Sequence, residues 1–154
     1  MKQPQLFDDV PDISSQKNSY SSCKVQNEIH RVMGFLRFNP RPDGIWLAKC
    51  APDHAILPAL EDYFIARFGE ESWAIIDEKR NLALFSLKGR RALYGDLSLF
   101  PVLRGEKEAT DNWEELWQLY HRSVTIENRK NLKLQRQFIP SRYQKYLPEL
   151  KQPL

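Results

Sequence analysis

The 154-residue sequence has two cysteines, six glycines and no long apolar run. Two thiols without a pairing motif are typical of a protein in a reducing compartment rather than of a disulfide scaffold. The first residues carry no apolar stretch that would mark a secretory signal, and no apolar run is long enough to predict a membrane span. We therefore expect a cytoplasmic protein that has no membrane partner.

The glycines lie too far apart to build a phosphate-binding loop. No two of them are closer than six residues, which excludes the G-x-G-x-x-G and G-x-x-x-x-G-K motifs. The sequence also lacks a G-x-S-x-G elbow and an H-E-x-x-H motif, and its cysteines and histidines have no zinc-ligand spacing. We therefore expect no resident cofactor and no structural metal.

The composition is that of one globular domain. Hydrophobic residues make up 42% of the chain and charged residues 28%, enough apolar content for a sizeable core. Residues 1–20 are polar and contain prolines and a serine-rich run, so they predict a flexible leader. Residues 21–150 are expected to form a single domain.

The spacing of apolar residues predicts a mixture of helices and strands. Amphipathic spacing predicts helices over 22–33, 53–68, 113–120 and 140–147. Short apolar runs predict two hairpins, built from strands 35–38 and 45–50 and from strands 73–77 and 82–87. We expect Asp53 to cap the second helix, Asp111 and Glu114 to cap the third, and Trp113 and Trp117 to pack that helix into the core. The predicted class is α+β, a mainly antiparallel sheet packed against amphipathic helices, followed by a basic C-terminal helical tail.

The charge is divided unevenly along the chain. The whole sequence has a net charge of +3, but residues 106–127 carry −4 and residues 129–151 carry +6. A concentrated basic segment attracts polyanions, and amide and aromatic residues that alternate with the cations suit a groove for phosphates and bases. The candidate nucleic-acid-binding residues are Arg129, Lys130, Lys133, Arg136, Arg142, Tyr143, Lys145 and Tyr146.

In that interpretation the cations contact phosphates, Tyr143 and Tyr146 stack on bases, and Arg37 and Arg41 extend the basic patch. The alternative is a solvated surface, or a tail that docks on the protein's own acidic helix.

Three residues are candidates for catalysis. Asp53 and His54 form a Pro-Asp-His triplet that suits general acid–base chemistry. Asp77, which lies two residues before Lys79, completes on paper a pattern typical of metal-dependent nucleases. The alternatives are a capping aspartate beside a half-exposed histidine, and a charged hairpin turn.

The order of several short motifs resembles a bacterial family of unknown function. The resemblance runs roughly from residue 25 to residue 150 and is interrupted near residues 88–110. Its main motifs are Pro52-Asp53-His54, Trp73-Ala74-Ile75-Ile76-Asp77 and Pro140-Ser141-Arg142-Tyr143. Members of that family are described as DNA-metabolism or DNA-repair proteins. They accompany a radical-SAM DNA-repair protein, and in some proteins the domain is fused to a uracil-DNA glycosylase domain.

The resemblance implies a role connected with DNA, with no established reaction. Together with the basic segment, it favours an accessory nucleic-acid-binding protein of DNA metabolism or repair. Two alternatives stay open: a metal-dependent nuclease or other hydrolase acting on nucleic acid, and a protein-interaction module that docks a repair enzyme. DNA and a radical-SAM repair protein are the expected partners.

Overall fold

A computed structural model describes residues 22–104 and 113–150 of the chain. The strands of this described part form one sheet in the order β1-β2-β3-β4-β5. They are β1 (Asn39–Pro40), β2 (Ile45–Cys50), β3 (Ser72–Asp77), β4 (Leu82–Ser86) and β5 (Leu93–Asp96). The β2–β3 pair is parallel, and the other three neighbouring pairs are antiparallel. The α+β class, the mainly antiparallel sheet and the hairpin of β3 and β4 are thereby confirmed, whereas the first hairpin pairs β2 with β1.

In the described residues, one helix precedes the first strand, one connects β2 to β3, and three follow β5. They are α1 (Cys23–Phe35), α2 (Glu61–Phe68), α3 (Trp113–Val124), α4 (Leu132–Phe138) and α5 (Ser141–Gln144). A 3₁₀ turn, Leu57–Leu60, leads into α2, and another, Pro148–Leu150, follows α5. None of the helices in the described ranges is long and apolar enough to cross a membrane.

The core occupies both faces of the central strand β3. Side chains of a strand alternate between the two faces, so Trp73 and Ile75 pack with α1 and α2 on one face. Ala74 and Ile76 pack on the other face against a smaller cluster that includes Phe100. Because β3 is covered on both faces, its carboxyl end lies deep in the molecule.

Three expectations about local structure were wrong. Residues 35–38 do not form a strand, because α1 continues to Phe35 and β1 begins at Asn39. The second helix does not begin at Asp53, because Pro58 lacks a backbone N–H and sits in the 3₁₀ turn that precedes α2. Trp117 does not enter the core, since it remains 40% exposed on α3.

Other expectations fall outside the described residues or were incomplete. The predicted leader and Asp111 lie outside the described ranges. Strand β5 and helix α4 were not predicted, because no apolar pattern in their residues is strong enough to identify them. The short helix predicted over 140–147 is confirmed as α5, although it ends at Gln144.

Candidate functional site

The carboxyl ends of β2 and β3 lie side by side. The two strands are parallel, and Cys50 pairs with Asp77 in the register. Residues 52–54 follow the first strand and residues 78–80 follow the second, at the end of a parallel pair where open α/β sheets place their ligands. We call this region the β2–β3 site, and it comprises Glu28, Asp53, His54, Asp77, Glu78, Lys79, Arg80, Arg142, Tyr143, Lys145 and Tyr146.

Asp77 and Arg80 join the two loops of the site. Asp77 is fully buried, and its Oδ1 accepts hydrogen bonds from the backbone N–H groups of Lys79 and Arg80 at 3.0 and 3.2 Å. Its Oδ2 lies 3.0 Å from Nη1 of Arg80. The same guanidinium donates to the backbone carbonyls of Pro52 and Asp53. The Asp77 carboxylate therefore holds the turn after β3 against the loop after β2.

Glu28 of α1 holds the Asp53–His54 loop through hydrogen bonds. Its side chain is 4% exposed, and it accepts hydrogen bonds from the backbone N–H groups of Asp53 and His54. The carboxylate also contacts Nδ1 of His54 and lies 3.4 Å from the hydroxyl of Tyr143. These contacts orient the His54 ring, whose side chain is 48% exposed.

Glu28 is a residue of the β2–β3 site that the sequence motifs did not identify. It shares a helix face with Val25, Ile29 and Val32, all of which are buried. A charged residue on a buried stripe needs a partner, because a lone buried charge is costly. That signal was present in the i, i+3, i+4 and i+7 spacing of α1.

Asp53 has an electrostatic environment different from that of Asp77. Its carboxylate is half exposed and lies 3.2 Å from Nη2 of Arg142 and 3.7 Å from Nζ of Lys79. It caps no helix, since α2 begins eight residues later. Within the described ranges, no three His, Cys, Asp or Glu side chains converge in a way that could hold a metal ion.

Glu78 contacts residues 141–150, which we call the C-terminal segment. The hydroxyl of Tyr146 donates to Glu78 at 2.6 Å, and Nζ of Lys145 lies 3.5 Å from the same oxygen. The hydrogen bond from Tyr146 lowers the pKa of Glu78, and the charge of Lys145 adds to this effect. Burial raises the pKa of the Tyr146 hydroxyl, and the neighbouring Glu78 carboxylate raises it further.

Tyr143 lies in the core, where a nucleic-acid base could not stack on it. Its side chain is 2% exposed, and its ring centroid is 5.1 Å from that of Phe35. The Arg142 guanidinium lies over the ring at 4.9 Å from the centroid. Burial raises the pKa of the Tyr143 hydroxyl.

The remaining predicted nucleic-acid-binding residues lie on a separate part of the chain. We call residues 113–138 the C-terminal arm; it contains α3, α4 and the turn between them. Arg129, Lys130, Lys133 and Arg136 are exposed on this arm. Lys130 pairs with Glu127 at 2.8 Å, whereas the other three form no ion pair with any residue in the described ranges.

Helix α3 turns its polar side toward the protein. Gln118 donates to the carbonyl of Pro148 at 3.0 Å, and Nε1 of Trp117 donates to Glu149 at 2.9 Å. Four apolar side chains of the helix face solvent instead, each more than half exposed: Leu116, Leu119, Tyr120 and Val124. The arm is therefore attached by polar contacts and leaves an apolar surface open.

Arg37 and Arg41 do not extend the basic surface. Arg37 donates to Glu149 at 2.8 Å. Arg41 is buried, where it pairs with Asp43 at 3.1 Å and donates to the carbonyl of Val102. Both guanidinium groups serve contacts within the protein.

The chain belongs to the family DUF4130, a domain of unknown function, which matches residues 2–149. This match contains every residue of the β2–β3 site and the whole C-terminal arm. Searches among curated proteins and among solved structures each gave no match.

Proposed function

We propose that this protein is an accessory nucleic-acid-binding protein of DNA metabolism or repair, and that the C-terminal arm is its binding surface. The observation that supports this proposal is the exposure of both cations and aromatic rings on one short segment. Arg129, Lys133 and Arg136 are exposed there without an ion pair to another described residue. Tyr120 and Phe138, 56% and 66% exposed, lie on the same arm.

These groups fit single-stranded nucleic acid best. Cations gain from phosphates because binding releases condensed counterions. Exposed aromatic rings gain from unpaired bases, which present a flat face that a duplex keeps stacked. The aromatic residues would have no such partner on an intact duplex.

The β2–β3 site contributes less to phosphate binding than its cation content suggests. Arg142 already faces Asp53, and Lys145 already faces Glu78. A phosphate would have to replace these carboxylates. We therefore infer that Arg142 and Lys145 hold the C-terminal segment in place. The cations of the arm make the phosphate contacts.

A nuclease function has less support from the geometry. It would require Asp53 and Asp77 to act together on a bound metal ion. Asp77 is fully buried and its two oxygens accept three hydrogen bonds from the turn that follows it. Releasing Asp77 for a metal would leave the Arg80 guanidinium without its carboxylate.

The proposed function is tested by fluorescence anisotropy with a labelled single-stranded oligonucleotide across a salt series. About three phosphate contacts predict that the logarithm of affinity falls with log salt at a slope near −2. The triple variant Arg129→Ala/Lys133→Ala/Arg136→Ala is expected to bring that slope close to zero.

The matched control removes three exposed cations elsewhere, in Arg31→Ala/Arg67→Ala/Arg90→Ala. It changes the net charge equally and should leave the salt slope as in the wild type. Equal losses in both variants, or no binding at low salt, would contradict the proposal.

The apolar surface of α3 favours a second candidate, a module that docks a repair enzyme. Exposed apolar patches of this kind mark interaction surfaces. The resemblance to proteins that accompany a radical-SAM DNA-repair protein suggests that enzyme as the partner. Titration calorimetry without DNA tests this candidate: the enzyme should bind the wild type and lose affinity for Leu119→Lys.

A further inference from the structure

A cleft of about 160 Å³ opens between the β1–β2 hairpin and α3. Three aromatic residues line it, Phe38 and Trp46 from the hairpin side and Trp117 from α3, while Arg37, Asn39 and Glu114 supply polar groups. The cleft therefore combines flat apolar surfaces with hydrogen-bonding groups.

Trp117 is held in one orientation although it is partly exposed. Its indole N–H donates to Oε2 of Glu149, and Arg37 binds the other oxygen of that carboxylate. The Arg37 guanidinium also lies over the indole at 5.9 Å from the centroid. Because the ring is already fixed, a ligand that stacks on it loses little additional entropy.

The opposite wall is fixed by aromatic packing. Phe38 lies 4.8 Å from Phe68 and 5.1 Å from Phe64, and Trp46 lies 6.3 Å from Phe68, measured between ring centroids. Phe64 is itself fully buried. This wall is an extension of the core and gives the cleft a rigid apolar side.

The polar groups offer both kinds of hydrogen bond. Nδ2 of Asn39 lies 3.4 Å from Oε1 of Glu114, a long bond at the edge of the usual range. An amide can donate and accept, while a carboxylate accepts from N–H groups such as those on base edges. A ligand with a flat ring and N–H donors on its edge satisfies both parts of the cleft.

We propose that this cleft binds one unpaired nucleobase, stacked on Trp117 with its edge toward Asn39 and Glu114. The inference deepens the proposed function and rests on it, because it assigns single-stranded nucleic acid as the ligand of the same protein. The phosphates adjoining the base lie outside the cleft. The cations of the arm serve those phosphates, and the cleft distinguishes an unpaired base from a paired one.

The test compares two oligonucleotides of equal length and charge, one with all its bases and one abasic throughout. Base stacking on an aromatic residue is worth about 1–3 kcal/mol, so the wild type should bind the base-containing strand about tenfold more tightly. Trp117→Ala should lose most of this preference and keep only the part that Tyr120 and Phe138 contribute. Trp117→Phe keeps a stacking ring and should restore part of the preference.

The control is Leu87→Ala, which lies outside the C-terminal arm and is 42% exposed. This residue does not line the cleft, so the variant should retain the full preference. Thermal unfolding of each variant establishes that the helix remains folded.

The outcomes separate this inference from the proposed function. A preference for bases that stays at the wild-type level in Trp117→Ala would overturn the cleft and leave the proposed function intact. Absence of binding to either strand would overturn the proposed function, and the cleft is then tested alone with free deoxyguanosine. In that experiment, shifts of the Trp117 indole N–H and Asn39 side-chain NMR signals support base binding, and unchanged signals overturn it.

Discussion

The β2–β3 site and the C-terminal arm are both rich in charged residues, but they differ in how the cations are paired. In the site, Arg142 and Lys145 each face a carboxylate more than sixty residues away in the sequence, Asp53 and Glu78 respectively. In the arm, Arg136 forms no ion pair within the described residues. The basic run of the sequence is thus divided into two parts. The cations of the site are paired with carboxylates, and Arg136 of the arm remains available to bind a phosphate.

The two regions also differ in how apolar side chains are placed. The segment around the site buries Tyr143 and Leu147, whereas the arm exposes Leu119 and Phe138. The burial of apolar area stabilises a fold, so the site region should resist unfolding far more than the arm. The arm's exposed groups are better explained by a ligand or partner than by stability.

The largest effect is expected from Asp77→Ala in the site. Removing one partner of a buried ion pair leaves the other uncompensated, which costs about 4 kcal/mol. Here the change also deprives the backbone N–H groups of Lys79 and Arg80 of their acceptor. Urea denaturation should show this loss in the free energy of unfolding.

The matched change in the arm is Glu127→Ala, which breaks the pair with Lys130. The Glu127 side chain is 75% exposed, and an exposed pair contributes less than about 1 kcal/mol. A loss from Asp77→Ala as small as that from Glu127→Ala would show that Asp77 does not hold the two loops together.

Local sequence patterns sufficed for most of the sheet. The run Ile45–Cys50 was predicted with its correct bounds, because apolar residues and flanking turn residues agree there. The sequence could not reveal that β2 and β3 are parallel, since pairing across a helical connection depends on tertiary packing. Strand β5 was missed because Gly95 and its surroundings favour irregular structure.

The candidate site was only partly predictable for a similar reason. Asp53, His54 and Asp77 stood out as motifs, and the structure brings their loops together through Arg80. Glu28 was missed because its partners, Asp53 and His54, are distant from it in the sequence. Whether a basic residue is paired depends on carboxylates that are distant in the sequence. The net charge of a segment does not show where those carboxylates lie in the fold.

A pair of leucines provides a second, smaller test of the comparison. Leu147 beside the site is 1% exposed and Leu119 in the arm is 62% exposed. Leu147→Ala should lower the free energy of unfolding by about 3 kcal/mol because it leaves a cavity. Leu119→Ala should change it by less than about 0.5 kcal/mol. Similar losses in both variants, measured by urea denaturation, would mean that the α3 surface is covered within the folded chain.

The smallest effect concerns the pH dependence of the Glu78 contact. The hydrogen bond from Tyr146 lowers the pKa of Glu78 in the folded protein. A depressed carboxyl pKa contributes stability above the unfolded pKa, about 4.3, and this stability is lost as the pH falls through the folded value.

The difference in unfolding free energy between wild type and Glu78→Gln should therefore shrink between pH 6 and pH 3, values chosen on either side of about 4.3, the ordinary pKa of a glutamate. The difference at pH 6 should stay below about 1 kcal/mol, because solvent screens a carboxylate that is partly exposed. Tyr146→Phe removes the donor and should reduce the same pH dependence. A difference that stays constant over this pH range would show that the C-terminal segment is held by packing alone, and that the charge pairing which distinguishes the site from the arm contributes nothing to stability.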